Sequence, residues 1–207
     1  MNRHSPSFYR QTARTFREKR YLLVKRLVPR VLLDYLKVYY DIQLKNDRFF
    51  NDTQCPLSLS LGADPGLDAV LEWLRPEVSR LVGFELAPTY SFARKYVKGD
   101  VLARHQDRPG CEISVTVSIQ IPKRTGASTL YVKPANLEEA KVEMNEGDGC
   151  IYAGMEVEHW RKRFRVDGYI QLFLPFVSKQ NPGYAQLDFY GRRYLGANNP
   201  QHVKKKT

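Results

Sequence analysis

Between Cys111 and Ile121 the chain alternates strictly. Ile113, Val115, Val117, Ile119 and Ile121 fall on one face, and Glu112, Ser114, Thr116, Ser118 and Gln120 on the other. A period of two marks a β-strand with unlike faces. Seven more short β-rich runs, at 90–97, 101–105, 129–133, 140–144, 149–153, 156–160 and 168–177, are separated by Gly, Pro, Asp or Asn, the residues that punctuate strands. The front of the chain is patterned differently. Tyr21 to Val24 reads as a short strand after a basic, partly helical lead-in over residues 1–19. Pro29 then opens a helix in which Val31, Leu32, Tyr35, Leu36, Val38 and Tyr39 share an apolar face. Residues 46–66 read as loop. A second helix is expected from about Leu67 to Leu81, with Leu67, Val70, Leu71 and Leu74 on one side and a bend at Pro76.

Eight short strands behind a helical front end predict a mainly β protein with flanking helices, a two-sheet jelly roll with the N-terminal helices packed on its major sheet. No hinge composition divides the 207 residues. The expected organisation is one domain, with helical support over 1–85, a jelly-roll core over 86–178 and a C-terminal extension over 179–207.

Charge changes the picture mainly through its distribution. Residues 1–50 hold 12 basic and 4 acidic groups, residues 51–150 hold 11 and 14, and residues 151–207 hold 10 and 4. The two ends are basic and the middle is not, so the β region is not simply a polyanion groove. The basic ends, interleaved with Phe8, Tyr9, Phe16 and Tyr21, leave nucleic acid open as a partner. No apolar run reaches the length of a membrane span, and the first residues lack the apolar segment of a secretory signal. Cys55, Cys111 and Cys150 are dispersed and odd in number, which argues against a disulfide framework and fits a cytoplasmic setting.

Only four histidines occur: His4 and His202 near the ends, His105 and His159 inside the β region. His105-Gln106-Asp107 is an H-x-D step at the end of a predicted strand, and strand residues i and i+2 project to the same face. One imidazole nitrogen and one carboxylate oxygen can therefore meet one ion, and His159 on a later run is the natural third ligand. Two histidines and a carboxylate that leave positions open are the ligand set of non-haem Fe(II) oxygenases. Taken alone an H-x-D step carries little, since such steps arise by chance.

The stretch Arg94-Lys95-Tyr96-Val97-Lys98-Gly99-Asp100-Val101-Leu102-Ala103-Arg104-His105-Gln106-Asp107 resembles the R-x-Y-x-x-G-x-x-L-x-x-H-x-D step of the Fe(II)/2-oxoglutarate dioxygenases, in particular their prolyl-4-hydroxylase-like branch. The resemblance continues through 111–121 and Glu146-Gly147-Asp148-Gly149-Cys150-Ile151-Tyr152 to His159, covering about residues 85–178. It implies a double-stranded β-helix with Fe(II) held by His105, Asp107 and His159, 2-oxoglutarate as cosubstrate, O2 as oxidant, and succinate and CO2 as co-products. The implied reaction is hydroxylation of a C–H bond on an amino-acid side chain, free or within a peptide or protein.

One departure matters. The family places Lys or Arg nine to eleven residues after the second histidine to hold the distal carboxylate of 2-oxoglutarate, and here those positions are Gly168, Tyr169 and Ile170. Arg161 is the expected substitute, because it shares the strand face of His159 and an Arg fork suits a carboxylate. By resemblance Tyr96, nine residues before His105, adds a hydrogen bond to the cosubstrate; Gln171 is expected to line the cavity in place of the missing cation. Arg108, beside the metal step, is expected at the mouth as a substrate contact. Trp160 alternates away from the metal face and is expected to pack. Substrate choice is assigned to loops 51–66, 122–128 and 178–200. Two other readings stay open: a nucleic-acid-modifying dioxygenase, although 168–176 lacks the paired arginines of the alkylation-repair branch, and a non-catalytic jelly-roll binding module.

Overall fold

A computed structural model describes residues 4–122, 128–182 and 195–196. The first helix starts where a cap allows it: Ser5 Oγ accepts from the Phe8 N–H at 3.2 Å and Pro6 stands in the first turn, giving α1 (Pro6–Lys19). β1 (Tyr21–Val24) and α2 (Arg30–Lys45) follow. The stretch read as loop over 46–66 holds a strand, β2 (Leu59–Gly62), that Phe50 also bridges at Ser60. Asp64 then caps α3 (Pro65–Val82), its carboxylate accepting from the N–H groups of Gly66 and Leu67. The helix runs on through Pro76, carried by the buried face of Leu71, Leu74, Val78 and Leu81, and ends at Gly83 with φ +86°.

The strands are β3 (Leu86–Pro88), β4 (Phe92–Tyr96), β5 (Leu102–His105), β6 (Ile113–Gln120), β7 (Ser128–Pro134), β8 (Ala140–Met144), β9 (Gly149–Ala153), β10 (Val157–Arg161) and β11 (Tyr169–Ser178). All eight expected runs are present. The major sheet has the order β1-β9-β6-β11-β4-β2, with β3 paired to the far end of β11, and the minor sheet the order β5-β10-β7-β8. All the pairings are antiparallel. The fold is a jelly roll. The first 85 residues do more than support it, since β1 and β2 form the two edges of the major sheet.

The two faces of β6 divide the labour. Val115, Val117 and Ile119 join one core with Leu33, Leu36, Leu67 and Leu74 of the helices, each buried side chain contributing about 1.5–3 kcal/mol. The polar row therefore faces the minor sheet: Ser114 reaches Asp107, and its strand neighbours Thr116 and Ser118 point the same way. The inward row of β6 is polar and its outward row, under the helices, joins the apolar core, while the minor sheet sets buried Leu130 and Val132 on the same face as His159. No helix among the described residues is long and apolar enough to cross a membrane. Residues 123–127, 183–194 and 197–200 of the expected specificity loops, and His202 with Lys204 to Lys206, lie outside the described residues.

Candidate metal centre

β5 and β10 place His105 and His159 directly opposite each other. Their rings stand 4.2 Å apart, centroid to centroid. Asp107 follows two residues after His105, and its Oδ1 lies 3.7 Å from His105 Nε2 and 3.5 Å from His159 Nε2. One ligand atom from each of the three residues falls within 4.8 Å of the other two. Two ligands at right angles on a metal with bonds near 2.1 Å are about 3 Å apart, so modest contraction would close the set.

The surroundings orient all three groups. His105 Nδ1–H donates to the Ala103 carbonyl at 2.8 Å and His159 Nδ1–H to the Val157 carbonyl at 3.0 Å, which leaves both Nε2 lone pairs facing Asp107. Burial, and then the neighbouring His159, hold the His105 pKa below its usual value, favouring the neutral form that ligates. Ser114 Oγ donates to Asp107 Oδ2 at 2.6 Å, and the Asp107 N–H donates to the Gly154 carbonyl at 2.8 Å. Gly154 is glycine for a steric reason: a Cβ there would stand 2.6 Å from Asp107 Oδ2 and 2.3 Å from the Cys111 carbonyl oxygen. Ser114→Ala is expected to weaken metal affinity about tenfold, as a Co(II) titration would measure; equal affinity would remove Ser114 from this role.

A cavity of about 340 Å³ opens at the triad. Phe92, Phe173 and Pro175 give it apolar wall, and Asp52, Gln54 and Arg94 polar wall. Arg94, fully enclosed, donates to Asp52 Oδ2 from Nη2 at 2.8 Å and from Nε at 3.2 Å. Burial pushes the Asp52 carboxyl up, but the hydroxyl of Ser60, the N–H of Cys55 and the Arg94 charge outweigh it and hold its pKa below the usual range. The stability Asp52 contributes is thus present above its unfolded pKa of about 3.9 and is lost as pH falls through the lower folded value. Asp52→Asn is expected to be less stable than wild type in urea at pH 7, with the gap closing below about pH 3.9; a gap independent of pH would refute the linkage.

Arg161 is 2% exposed and sits opposite Leu102, a residue of the cavity wall. Its Nη1 donates to Ser128 Oγ at 2.5 Å and to the Thr129 carbonyl at 2.9 Å. Nε and Nη2 have no hydrogen-bond partner, and no carboxylate pairs with the guanidinium, among the described residues. Both amide atoms of Gln171 and the Thr116 hydroxyl are likewise buried and unpartnered. They stand on inward faces of β11 and β6. A buried charge without counter-charge is costly, so the unpaired nitrogens of Arg161 fit an anion with oxygen acceptors, although Arg161, Gln171 and Tyr96 stand behind the residues that line the cavity at the triad rather than among them. Arg161 also acts on its neighbours: burial pushes the Cys150 thiol up to about 12 against the pull of the Arg161 charge.

Tyr96 is buried, stacked on Phe164 at 4.2 Å, and its Oη accepts from Arg94 Nη1 at 3.4 Å. Burial raises its pKa, with Arg94 and Arg161 opposing. Arg108 lines the cavity with its guanidinium 4.7 Å from the Tyr90 ring. Trp160 stacks on Tyr131 at 5.6 Å, away from the triad. Five further residues at the site, Asp52, Gln54, Arg94, Ser114 and Tyr152, have no role assigned by sequence. Arg94 and Tyr152 lie inside the resembling segments, and Ser114 in the polar row of β6; for Asp52 and Gln54 there was only membership of a loop.

The sequence matches no protein-family model and no curated protein. Among solved structures, a Pseudomonas putida prolyl-4-hydroxylase superposes with a TM-score of 0.68 at 15% identity, over 83% of this chain and 99% of that one. A Trichoplax adhaerens prolyl hydroxylase in complex with a hypoxia-inducible-factor peptide fragment gives 0.67 at 12%, over 83% and 90%. The epimerase SnoN, in complex with Fe3+, alpha-ketoglutarate and nogalamycin RO, gives 0.65 at 11%, over 94% of each chain. The jelly roll described above is the fold these oxygenase structures share.

Proposed function

We propose that the protein is an Fe(II)- and 2-oxoglutarate-dependent dioxygenase that hydroxylates a C–H bond of an amino-acid side chain, with a free amino acid, a peptide or a protein as substrate. The observation that carries this reading is the meeting of two Nε2 lone pairs and one carboxylate oxygen, all neutral or acidic donors suited to a divalent ion, at the edge of a pocket. His105, Asp107 and His159 would hold Fe(II). Arg161 would hold 2-oxoglutarate by its distal carboxylate, which answers the unpaired guanidinium, with Tyr96 and Gln171 contributing hydrogen bonds. Bound together, Fe(II) and 2-oxoglutarate supply O2-dependent oxidation of a C–H bond, with succinate and CO2 released.

The chain's own residues bind, orient and exclude water. The Ala103 and Val157 carbonyls fix both imidazole tautomers, and Ser114 fixes which Asp107 oxygen is offered. Phe92, Phe173 and Pro175 shed water from the substrate's side of the pocket. Arg108, with its guanidinium over the Tyr90 ring, would meet a substrate carbonyl or carboxylate at the mouth. The peptide held by the Trichoplax enzyme supports the peptide form of this reading.

The test is conversion of 2-oxoglutarate to succinate when O2 is admitted to protein loaded anaerobically with Fe(II). Succinate from wild type and none from His105→Ala is expected. Equal succinate from both would end the catalytic assignment.

A further inference from the structure

His105 Nε2 has one lone pair and two claimants. Its Nδ1–H is committed to Ala103, so Nε2 accepts, and the Gln54 side-chain nitrogen stands 3.0 Å from it. A metal ligated by the same nitrogen would lie about 2.1 Å away on the same lone pair. Both cannot use it at once.

The approach of Gln54 is built by the loop that carries it. Arg94 Nη2 donates to Gln54 Oε1 at 3.0 Å, which turns the amide so that its NH2 end faces His105. The Asp52 carboxylate accepts from the N–H groups of Gln54 and Cys55, each at 2.9 Å, while also pairing with Arg94. Asn51 Nδ2 donates to the Pro56 and Ser58 carbonyls at 3.2 and 3.1 Å. The loop over 51–58 is therefore braced at several points, and it delivers one amide donor to one ligand nitrogen. Tyr152 Oη stands 3.4 Å from His159 Nε2, a longer and weaker claim from a buried strand residue, whereas Gln54 is an exposed loop residue.

We propose that Gln54 gates the metal site: it competes with the ion for His105 Nε2, and metal loading breaks its bond to His105. Because the same amide is an acceptor for Arg94, loading is thereby transmitted to the pocket cation and to loop 51–58. The proposal rests on the triad being a metal site, and it is a statement about regulation of that site.

The experiment is anaerobic titration of Co(II), without cosubstrate, into wild type, Gln54→Ala, Gln54→Met and His105→Ala, following the visible absorption of the bound ion. Wild type is expected to bind one ion per chain. Both Gln54 variants are expected to bind it three- to tenfold more tightly, the worth of one such hydrogen bond, and His105→Ala to bind poorly. Gln54→Met keeps the length of the side chain without the donor, so agreement between the two variants excludes a general loosening of the loop. Equal or weaker binding by both variants overturns the gate while leaving the metal reading standing. Absence of binding by wild type overturns the metal reading, and the gate with it.

Discussion

Arg161→Met is expected to raise the KM for 2-oxoglutarate about 100-fold or more, to leave metal affinity unchanged, and not to lower the melting temperature. Truncating one side of a buried, hydrogen-bonded charge pair costs about 2–5 kcal/mol, and 100-fold is about 2.7 kcal/mol. On the proposed reading the pair would form only with the cosubstrate, because Arg161 has no carboxylate partner among the described residues and two of its nitrogens are unpaired. For the protein alone, exchanging an uncompensated buried charge for an apolar side chain of similar length is neutral or stabilising. The lost bonds to Ser128 and Thr129 set a limit on that gain. A residue kept for stability would show the reverse pattern, and an unchanged KM with a lower melting temperature would make Arg161 structural.

The second large effect belongs to the ligands themselves. Asp107→Asn keeps the shape of the side chain and an acceptor for Ser114, yet removes the charge that faces both imidazoles. Structural metal sites with four ligands bind by roughly 10–16 kcal/mol, or about 2.5–4 kcal/mol per ligand. Loss of this one is expected to weaken Co(II) binding several hundredfold, with His159→Ala behaving alike. A thermal melt accompanies the titration, because His159 is 2% exposed and its removal leaves a void, whereas Asp107→Asn leaves none. Asp107→Asn binding as wild type does would mean that the carboxylate is not a ligand.

Much of this was legible in the chain, and the reasons differ from element to element. The alternation of β6 announced a strand with two unlike faces, but not which face turned inward. That is decided by partners: the helices supply enough Leu and Val to claim the apolar side, so the polar side is left for the site. β2 is not legible because Leu59–Gly62 is four residues set among Asn, Asp and Pro, and its pairing with β4 comes from residues thirty or more positions away. The H-x-D step implied two ligands on one face through strand geometry. Its pairing with His159 depends on the register of β5 on β10, which periodicity does not give; resemblance implied the ligand but not the register. Gln54 was illegible because its role depends on Asp52, Arg94 and His105 meeting in space, and no spacing rule connects a loop amide to a strand imidazole.

The most direct measurement is an anomalous-difference map from crystals of the Fe(II)-loaded protein, grown without oxygen. One peak per chain is expected, about 2.0–2.2 Å from His105 Nε2, His159 Nε2 and an Asp107 oxygen. A peak bound elsewhere, or none at the junction of β5 and β10, would contradict the account.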